Sequence, residues 1–345
     1  MALDIKSAIE NLKDLRSQQL STQNNGVGQE AVTLLDELQF PNKKHEEWKY
    51  TSFEKVFGAG LTLPNNEILA SNSTLELDAY SIELINGKLV RADSISGVSI
   101  RERKSVANYD KSQYFNVLNA AFAPSVIEIT IAKSVEVDKP ILLQNTVAGN
   151  QVLGHARIEI IAEENSRCCI VESNVFENGA SGYQNRLANI KVERNAFLDH
   201  IMIQNYGQKQ SALHTTNSSV KTGGNYTNQV ATFGGEIIRN ELNIALTEPH
   251  CECHLNGLYL IGEKSHVDNH TAVDHQQPNC ESNEFYKGVM KDSATGVFNG
   301  KVFVREDAQQ TNAYQQNRNL LLSENATINT KPQLEIWADD VKCSH

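Results

Sequence analysis

Apolar and polar residues follow two different periods along this chain. At its beginning, apolar residues recur every three or four positions, which is the spacing of one face of an α-helix. Two such stripes are present. They comprise Leu3, Ile5, Ile9, Leu12 and Leu15, and then Val32, Leu34, Leu35 and Leu38. Because Pro41 cannot continue a helix, the second stripe ends before it. The pattern predicts two amphipathic helices.

The pattern changes between residues 61 and 104, where short strands such as 81–86 replace the helical spacing. The Asn86-Gly87 pair is expected to turn one strand into the next. A further short helix is predicted over 114–122, and Pro124 is expected to end it. We therefore predict a helical and mixed region over residues 1–123.

From about residue 125 onward, apolar residues alternate with polar ones, as in half-buried β-strands. Clear examples are Ile127, Ile129 and Ile131; Ile158 and Ile160; Leu242, Ile244 and Leu246; and Leu334 and Ile336. So long an all-β run exceeds the needs of an ordinary sandwich. It favours stacked coils, in which each turn buries its inner face against its neighbours. We predict a parallel β-helix over residues 124–345 in a mainly β protein, with a double sandwich as the alternative.

Composition restricts the class of partner. The chain has 345 residues, and its 31 Lys and Arg stand against 42 Asp and Glu, for a net charge of −11. Nucleic-acid binding needs a basic surplus that neutralises phosphates, so nucleic acid is excluded as the main partner. No stretch reaches the roughly 20 apolar residues of a membrane span, and the N-terminal stripe is interrupted by charges, unlike a secretory signal. We predict a cytoplasmic protein whose six cysteines are reduced thiols.

The sequence contains no complete catalytic motif. Glycine–lysine pairs occur at Gly87-Lys88 and Gly300-Lys301, but neither has the flanking residues of a phosphate-binding loop. No Ser or Cys has both a base and an orienting acid in a known local signature. We predict no catalytic residues and no enzymatic activity, and any ATP hydrolysis is expected to come from a partner.

Two histidine clusters contain residue types that bind metals. The first is HCECH at 250–254, and the second spans 266–275 with His266, Asp268 and His270 on one strand face. Their spacing matches no zinc motif. We therefore expect rows of polar side chains that stack between successive turns and have a structural role, and not a functional metal site. Cys251 and Cys253 lie on the face of Leu255 and are expected to fill the core.

The remaining cysteines before the C-terminus are expected to have no chemical role. Adjacent residues of a strand point to opposite faces, so of Cys168 and Cys169 one is predicted in the core and the other exposed. Cys280 lies in a predicted loop after Pro278-Asn279 and would be reactive if exposed.

The last strand of the chain ends with a thiol and an imidazole two residues apart. In a strand, Val341, Cys343 and His345 point to one face. One interpretation is packing, in which Val341 and Cys343 face inward and His345 caps the coil. The other uses a thiolate and a neutral imidazole as ligands or sulfur acceptor, a pair suited to iron or persulfide chemistry. The pattern leaves both interpretations open.

Several motifs, in this order, resemble the SufD proteins of the SufB/SufD family, which assemble iron–sulfur clusters in the SUF system. They are KHEEWKYT at 44–51, NHTAVDH at 269–275, YKG at 286–288, GVFNGK at 296–301, DA at 307–308, NLLLS at 319–323 and KPQLEIWADDVKCSH at 331–345. The matches begin near residue 41 and are densest toward residue 345. Any one alone is weak, but their combination is specific.

The resemblance implies a right-handed parallel β-helix after a helical N-terminal region, and a scaffold role in a complex with a SufB-like sister subunit and a SufC-like ATPase. It implies that the histidine of the Cys-Ser-His motif, here His345, lies at the interface with the sister subunit and handles iron, with Cys343 beside it. This pair is the predicted shared metal or cluster site. Reduced flavin in the complex is also implied, although no residue marks a flavin site.

Family members continue past this histidine with a segment that docks the ATPase. The sequence therefore predicts a truncated chain with impaired ATPase docking. In isolation a homodimer is expected, because the coil-end edge that pairs with the sister subunit can pair with itself. The alternatives from other classes are a β-helix enzyme acting on acidic polysaccharide and a purely structural solenoid.

Overall fold

A computed structural model describes residues 4–21, 28–65, 75–104 and 109–345. Its helices are α1 (Ile5–Ser21), α2 (Gln29–Glu37), a short 3₁₀ helix (Glu46–Trp48), α3 (Glu54–Gly58) and α4 (Tyr114–Phe122). The two predicted stripes form α1 and α2, which bury Ile9, Leu12 and Leu35. Leu3 lies outside the described residues. The third predicted helix is α4, with the expected bounds.

Strands make up most of the rest of the described chain. They are β1 (Tyr80–Ile85), β2 (Lys88–Ala92), β3 (Val98–Arg103), β4 (Val126–Ile131), β5 (Ile141–Val147), β6 (Val152–Ala162), β7 (Arg167–Phe176), β8 (Gly182–Val192), β9 (Phe197–Tyr206), β10 (Gln210–Val220), β11 (Asn225–Gly234), β12 (Ile237–Leu246), β13 (Glu252–Ile261), β14 (His266–His275), β15 (Glu281–Met290), β16 (Thr295–Val304), β17 (Thr311–Leu321), β18 (Thr327–Ile336) and β19 (Val341–Ser344).

These strands form a parallel β-solenoid of about eight turns, which confirms the predicted fold class. The first sheet contains β1, β2 and the odd-numbered strands from β5 to β19, and the second contains β3 and the even-numbered strands from β4 to β18. β5 pairs in parallel with β1, and from β6 onward each strand pairs in parallel with the strand two earlier. Sandwich sheets are antiparallel, so the alternative fold is wrong.

Successive turns differ in length, although their strands stay in register. Asn228 pairs with Leu255, 27 residues on, whereas Glu284 pairs with Gln315, 31 residues on. The extra residues are absorbed by the corners between strands. This variation explains why the sequence shows no strict repeat.

The core lies between the two sheets and is built from the alternating apolar residues. Ile127, Ile129 and Ile131 of β4 have no exposed surface, and the same holds for Ile158 and Ile160 of β6. β18 departs from this pattern, because Leu334 is only half-buried and Ile336 is 40% exposed. β18 is the last strand of the second sheet, so no further described turn covers it.

The N-terminal helices pack on the solenoid through aromatic residues. Phe53 and Phe57 contact Tyr183 of β8 edge-on, with ring centroids 5.0 and 5.1 Å apart.

The hairpin between β1 and β2 turns at Asn86-Gly87, where both residues have positive φ (49° and 79°), as predicted. β1 pairs with β5 and β3 with β4, so strands from residues 80–103 already extend the two sheets. The predicted division at residues 123/124 stays a prediction.

Candidate functional site at the end of the solenoid

The Cys-Ser-His segment lies on the last strand of the first sheet. β19 pairs with β17 through Ala313↔Cys343 and Tyr314↔Ser344. Within the described part of the chain, the other side of β19 has no neighbouring strand. Its outer backbone groups are therefore an open edge of the kind that pairs with another chain.

Cys343 packs at the end of the core. It and Val341 contact a small apolar cluster that includes Val304, Ala308 and Ala313. Burial raises the pKa of the Cys343 thiol, which favours its protonated form. The inward packing of Val341 and Cys343 therefore agrees with the first interpretation of this strand, while the thiol keeps partial exposure.

His345 lies just beyond this strand and is exposed. β19 ends at Ser344, so the alternation that predicted a face shared with Cys343 does not extend to His345. Its side chain lines a groove of about 630 Å³ on the first sheet, together with His254, Asn283 and Tyr314. The structure thus places a second imidazole in the groove of His345, which the sequence reasoning missed.

Exposed apolar side chains lie further along the last turns, beyond the residues of β17 that pair with β19. This apolar patch comprises Leu320, Leu321 and Leu322 at the end of β17 and Ile336 and Trp337 at the end of β18, each at least 40% exposed. A group of exposed apolar side chains is typical of a protein interface. The signal in the sequence was the run of three leucines, which breaks the alternation of a strand with one solvent-facing side.

The first histidine cluster is divided by the corner before β13. Cys251 and Cys253 are buried, as predicted. Glu252 and His254 are on the outer face, with 3.9 Å between Glu252 Oε2 and His254 Nε2. Strand alternation from the sequence would place His250, Glu252 and His254 on one face. His250 is not on their strand but in the corner, with φ of 61°, so that expectation is wrong.

The second histidine cluster forms a buried ion-pair network and not a row of polar side chains on the surface. Arg239 Nη1 donates to Asp268 Oδ2 at 2.6 Å, and His270 Nε2 lies 2.9 Å from Asp268 Oδ1. Burial disfavours the charge of Asp268, but His270 and Arg239 outweigh it and hold the pKa of that carboxyl well below its usual range. These groups satisfy one another, which supports the predicted structural role.

This network holds the N-terminal segment 44–51 on the second sheet. Glu47 accepts from Lys301 Nζ at 2.5 Å, and its Oε2 lies 3.7 Å from His270 Nδ1. The bond to His270 and the nearby Lys301 lower the pKa of Glu47 to about 2 despite its partial burial. Thr51 donates to Asp268 from the same segment. The motif therefore docks the helical region on the solenoid.

A second charge network lies inside the solenoid, and no local sequence motif marks it. Arg186 Nε donates to Glu172 Oε1 at 2.8 Å, and His200 Nε2 lies 3.1 Å from Glu172 Oε2. All three side chains are completely buried. The only signal in the sequence was a charged residue at an inward position of an alternating strand.

All six cysteines are free thiols. Cys168 is buried as predicted for one of the pair, whereas Cys169 is half-buried and not exposed. Cys280 lies in the corner before β15 and is buried. Among the described residues, no three His, Cys, Asp or Glu side chains are placed to hold a metal ion.

The groove beside His345 does not fit a flavin. No lysine, arginine or glycine lines it, and these are the residues that ordinarily hold a phosphate. No flavin-binding residue is therefore assigned.

Within the described ranges, no helix is both long enough and apolar enough to cross a membrane.

Comparisons with known proteins point to one family. The family model "SUF system FeS cluster assembly, SufBD core domain" matches residues 145–345. The chain is 29% identical to the iron–sulfur cluster assembly protein SufD of Escherichia coli over 88% of this chain and 75% of that protein. It is 28% identical to an iron–sulfur cluster assembly SufBD family protein of Synechocystis, over 92% and 77%. It is also 28% identical to the chloroplastic protein ABCI7 of Arabidopsis thaliana, over 91% and 72%.

Proposed function

Because the chain belongs to the SufBD core family of SUF-system iron–sulfur cluster assembly proteins, we propose that it is a non-catalytic scaffold subunit on which clusters are built. The observation that carries this proposal is the end of the solenoid. The last turns carry an open strand edge, exposed apolar side chains and the Cys-Ser-His segment. A partner bound at this end would complete the interface, and its side chains would complete the ligand set of the metal.

The partner proposed for this edge is a SufB-like sister subunit. A strand of the partner would pair with the free side of β19 and cover the apolar patch, since pairing satisfies the open backbone groups. A SufC-like ATPase would supply the hydrolysis for which the sequence has no phosphate-binding loop. In isolation, a second copy of the chain would occupy the same edge.

His345 is proposed to bind iron, which is the cargo here. A neutral imidazole is a common ligand of iron and needs no buried charge. The raised pKa of Cys343 keeps its thiol protonated until a metal displaces the proton. His345 is therefore expected to bind first, with Cys343 as a second ligand or sulfur acceptor, and the remaining ligands would come from the partner.

Reconstitution with the sister subunit and the ATPase tests this proposal. Cluster formation from ferrous iron and a sulfur donor is followed by absorbance for the wild type and for His345→Asn. Loss of this ligand is expected to slow cluster formation by about tenfold or more. Even substitution of residues that only orient a metal ligand typically lowers metal affinity or activity by about tenfold or more. Co-purification of the three subunits should be unchanged.

His250→Asn is the matched control. His250 is also exposed, but it lies in the corner before β13 and does not line the groove of His345. Asn tolerates the positive φ of that position. The control should form clusters at the wild-type rate. Equal rates for His345→Asn and the wild type would overturn the role of His345.

A further inference from the structure

The corner that precedes the odd-numbered strands is built in the same way on successive turns. Strand pairing places one small residue at the equivalent position of each turn. These residues are Ser166, Ala196, Gly224, Cys251, Cys280 and Thr311. Each follows a residue with positive φ, for example His250 (61°) and Asn279 (60°). The corner thus directs a column of small side chains into the core.

Two consecutive members of this column are cysteines. Glu281 N donates to Cys251 O at 2.9 Å, which keeps the two corners in register. The thiols of Cys251 and Cys280 both point to the carbonyl oxygen of Glu248, at 3.0 and 3.4 Å. Neighbouring strands are about 4.8 Å apart. A disulfide accepts Cα separations of about 4.4–6.8 Å, so the backbone spacing permits one here.

A buried imidazole adjoins this pair. His275 ends β14, and its Nε2 lies 2.8 Å from Ser282 Oγ. Its Nδ1 has no hydrogen-bond partner among the described residues. The neighbouring Cys251 thiol and His275 lower the pKa of Cys280, whereas Cys280 and burial raise the pKa of Cys251. Cys280 is therefore the thiol of the pair that ionises more readily.

We propose that Cys251 and Cys280 are a redox-active thiol pair that a peroxide converts into a disulfide joining two successive turns. The Cys280 thiolate attacks one peroxide oxygen, the O–O bond breaks, and a sulfenic acid and water form. The Cys251 sulfur then displaces hydroxide from the Cys280 sulfur, and the Cys251 proton leaves with it as water. Two thiols lose two electrons, and the peroxide is reduced to two waters.

The position of the pair allows this chemistry. Both thiols are buried, but the residues that precede them, His250 and Asn279, are exposed. A small neutral oxidant has to pass only one layer of a surface corner. Packing alone does not require cysteine at these two positions, because Ser, Ala, Gly or Thr fills the equivalent position on the other turns. The site does not involve Cys343 or His345, so it stands independently of the proposed assembly function.

Peptide mapping of the folded protein tests the proposal. Reduced wild type is treated with hydrogen peroxide, the remaining thiols are blocked, and the digest is analysed by mass spectrometry without reduction. The expected product is a disulfide-linked pair of peptides containing Cys251 and Cys280, which dithiothreitol separates. In Cys251→Ser the link should be absent, and dimedone should trap a sulfenic acid on Cys280.

Cys253→Ser is the matched control, because Cys253 is equally buried two residues further along. It should give the same linked peptides as the wild type. Circular dichroism of each variant establishes that it is folded. Free Cys251 and Cys280 thiols, in a sample whose less buried Cys169 and Cys343 have been oxidised, would overturn the proposal. A Cys280 that resists dimedone in Cys251→Ser would also overturn it.

Discussion

The ring of Trp48 covers the guanidinium group of Arg239, with 3.9 Å between the guanidinium carbon and the ring centroid. Trp48 comes from the N-terminal segment 44–51, and Arg239 is on β12 in the second sheet. Arg239 also pairs with Asp268 and Glu241. This contact therefore joins the helical region to the charge network of the solenoid, in addition to the contacts of Glu47 and Thr51.

Trp48→Ala is expected to lower the free energy of unfolding by roughly 3–5 kcal/mol, because it removes a large buried ring and the cation–π contact. Urea denaturation measures this change. Tyr50→Ala is the control, since that ring belongs to the same segment but is 39% exposed, and its loss should change stability by no more than about 0.5 kcal/mol. Similar losses for the two variants would contradict the docking role of Trp48.

Glu172→Gln should destabilise the protein by about 3–5 kcal/mol, because it leaves the Arg186 charge buried without its partner. The double variant Glu172→Gln, Arg186→Met removes both charges and is expected to recover much of that loss. Guanidinium chloride denaturation of the two single variants and the double variant completes the cycle. Additive losses would show that the two residues do not form an energetic pair.

His270 should make stability depend on pH. Burial opposes its charge, but the adjacent Asp268 raises its pKa above the ordinary value of 6.5. A raised pKa means that the folded state binds the proton more tightly. The stabilisation is therefore fully present below about pH 6.5 and is lost as pH rises through the raised pKa.

The difference in unfolding free energy between the wild type and His270→Gln should consequently be larger at pH 6 than at pH 9. Urea denaturation at a series of pH values measures it. A difference that stays constant over this range would mean that protonated His270 does not stabilise the fold.

The isolated chain is expected to dimerise through the end of the solenoid. Leu320→Asp places a charge in the apolar patch of the last turns and should shift a dimer toward monomer in light scattering. Leu258→Asp is the control, because Leu258 is also exposed but lies on β13, away from that edge. A dimer that persists with Leu320→Asp and dissociates with Leu258→Asp would place the interface elsewhere.

Local patterns in the sequence predicted the elements of this fold well. Alternation located strands such as β4 and β12, and the helical stripes located α1 and α2, because each pattern reflects burial against an immediate neighbour. The same rule failed for Ile336, since its exposure depends on being in the last turn of the second sheet. Position within the stack is not encoded in the local pattern.

The site was predicted less completely, for physical reasons. The direction of His345 could not follow from alternation, because β19 ends one residue earlier. His254 joins the groove of His345 only through the stacking of intervening strands. The buried Glu172 and Arg186 meet between the two sheets from the consecutive strands β7 and β8, 14 residues apart, and this spacing matches no motif.

A structure of the chain bound to its sister subunit and loaded with iron tests the central claim most directly. A strand of the partner should pair with the free side of β19 and cover Leu320 and Trp337. A nitrogen of His345 should coordinate the iron directly, at a distance close to the roughly 2.0–2.1 Å of imidazole–zinc bonds. An interface at another surface, with His345 exposed to solvent and iron bound elsewhere, would contradict the claim.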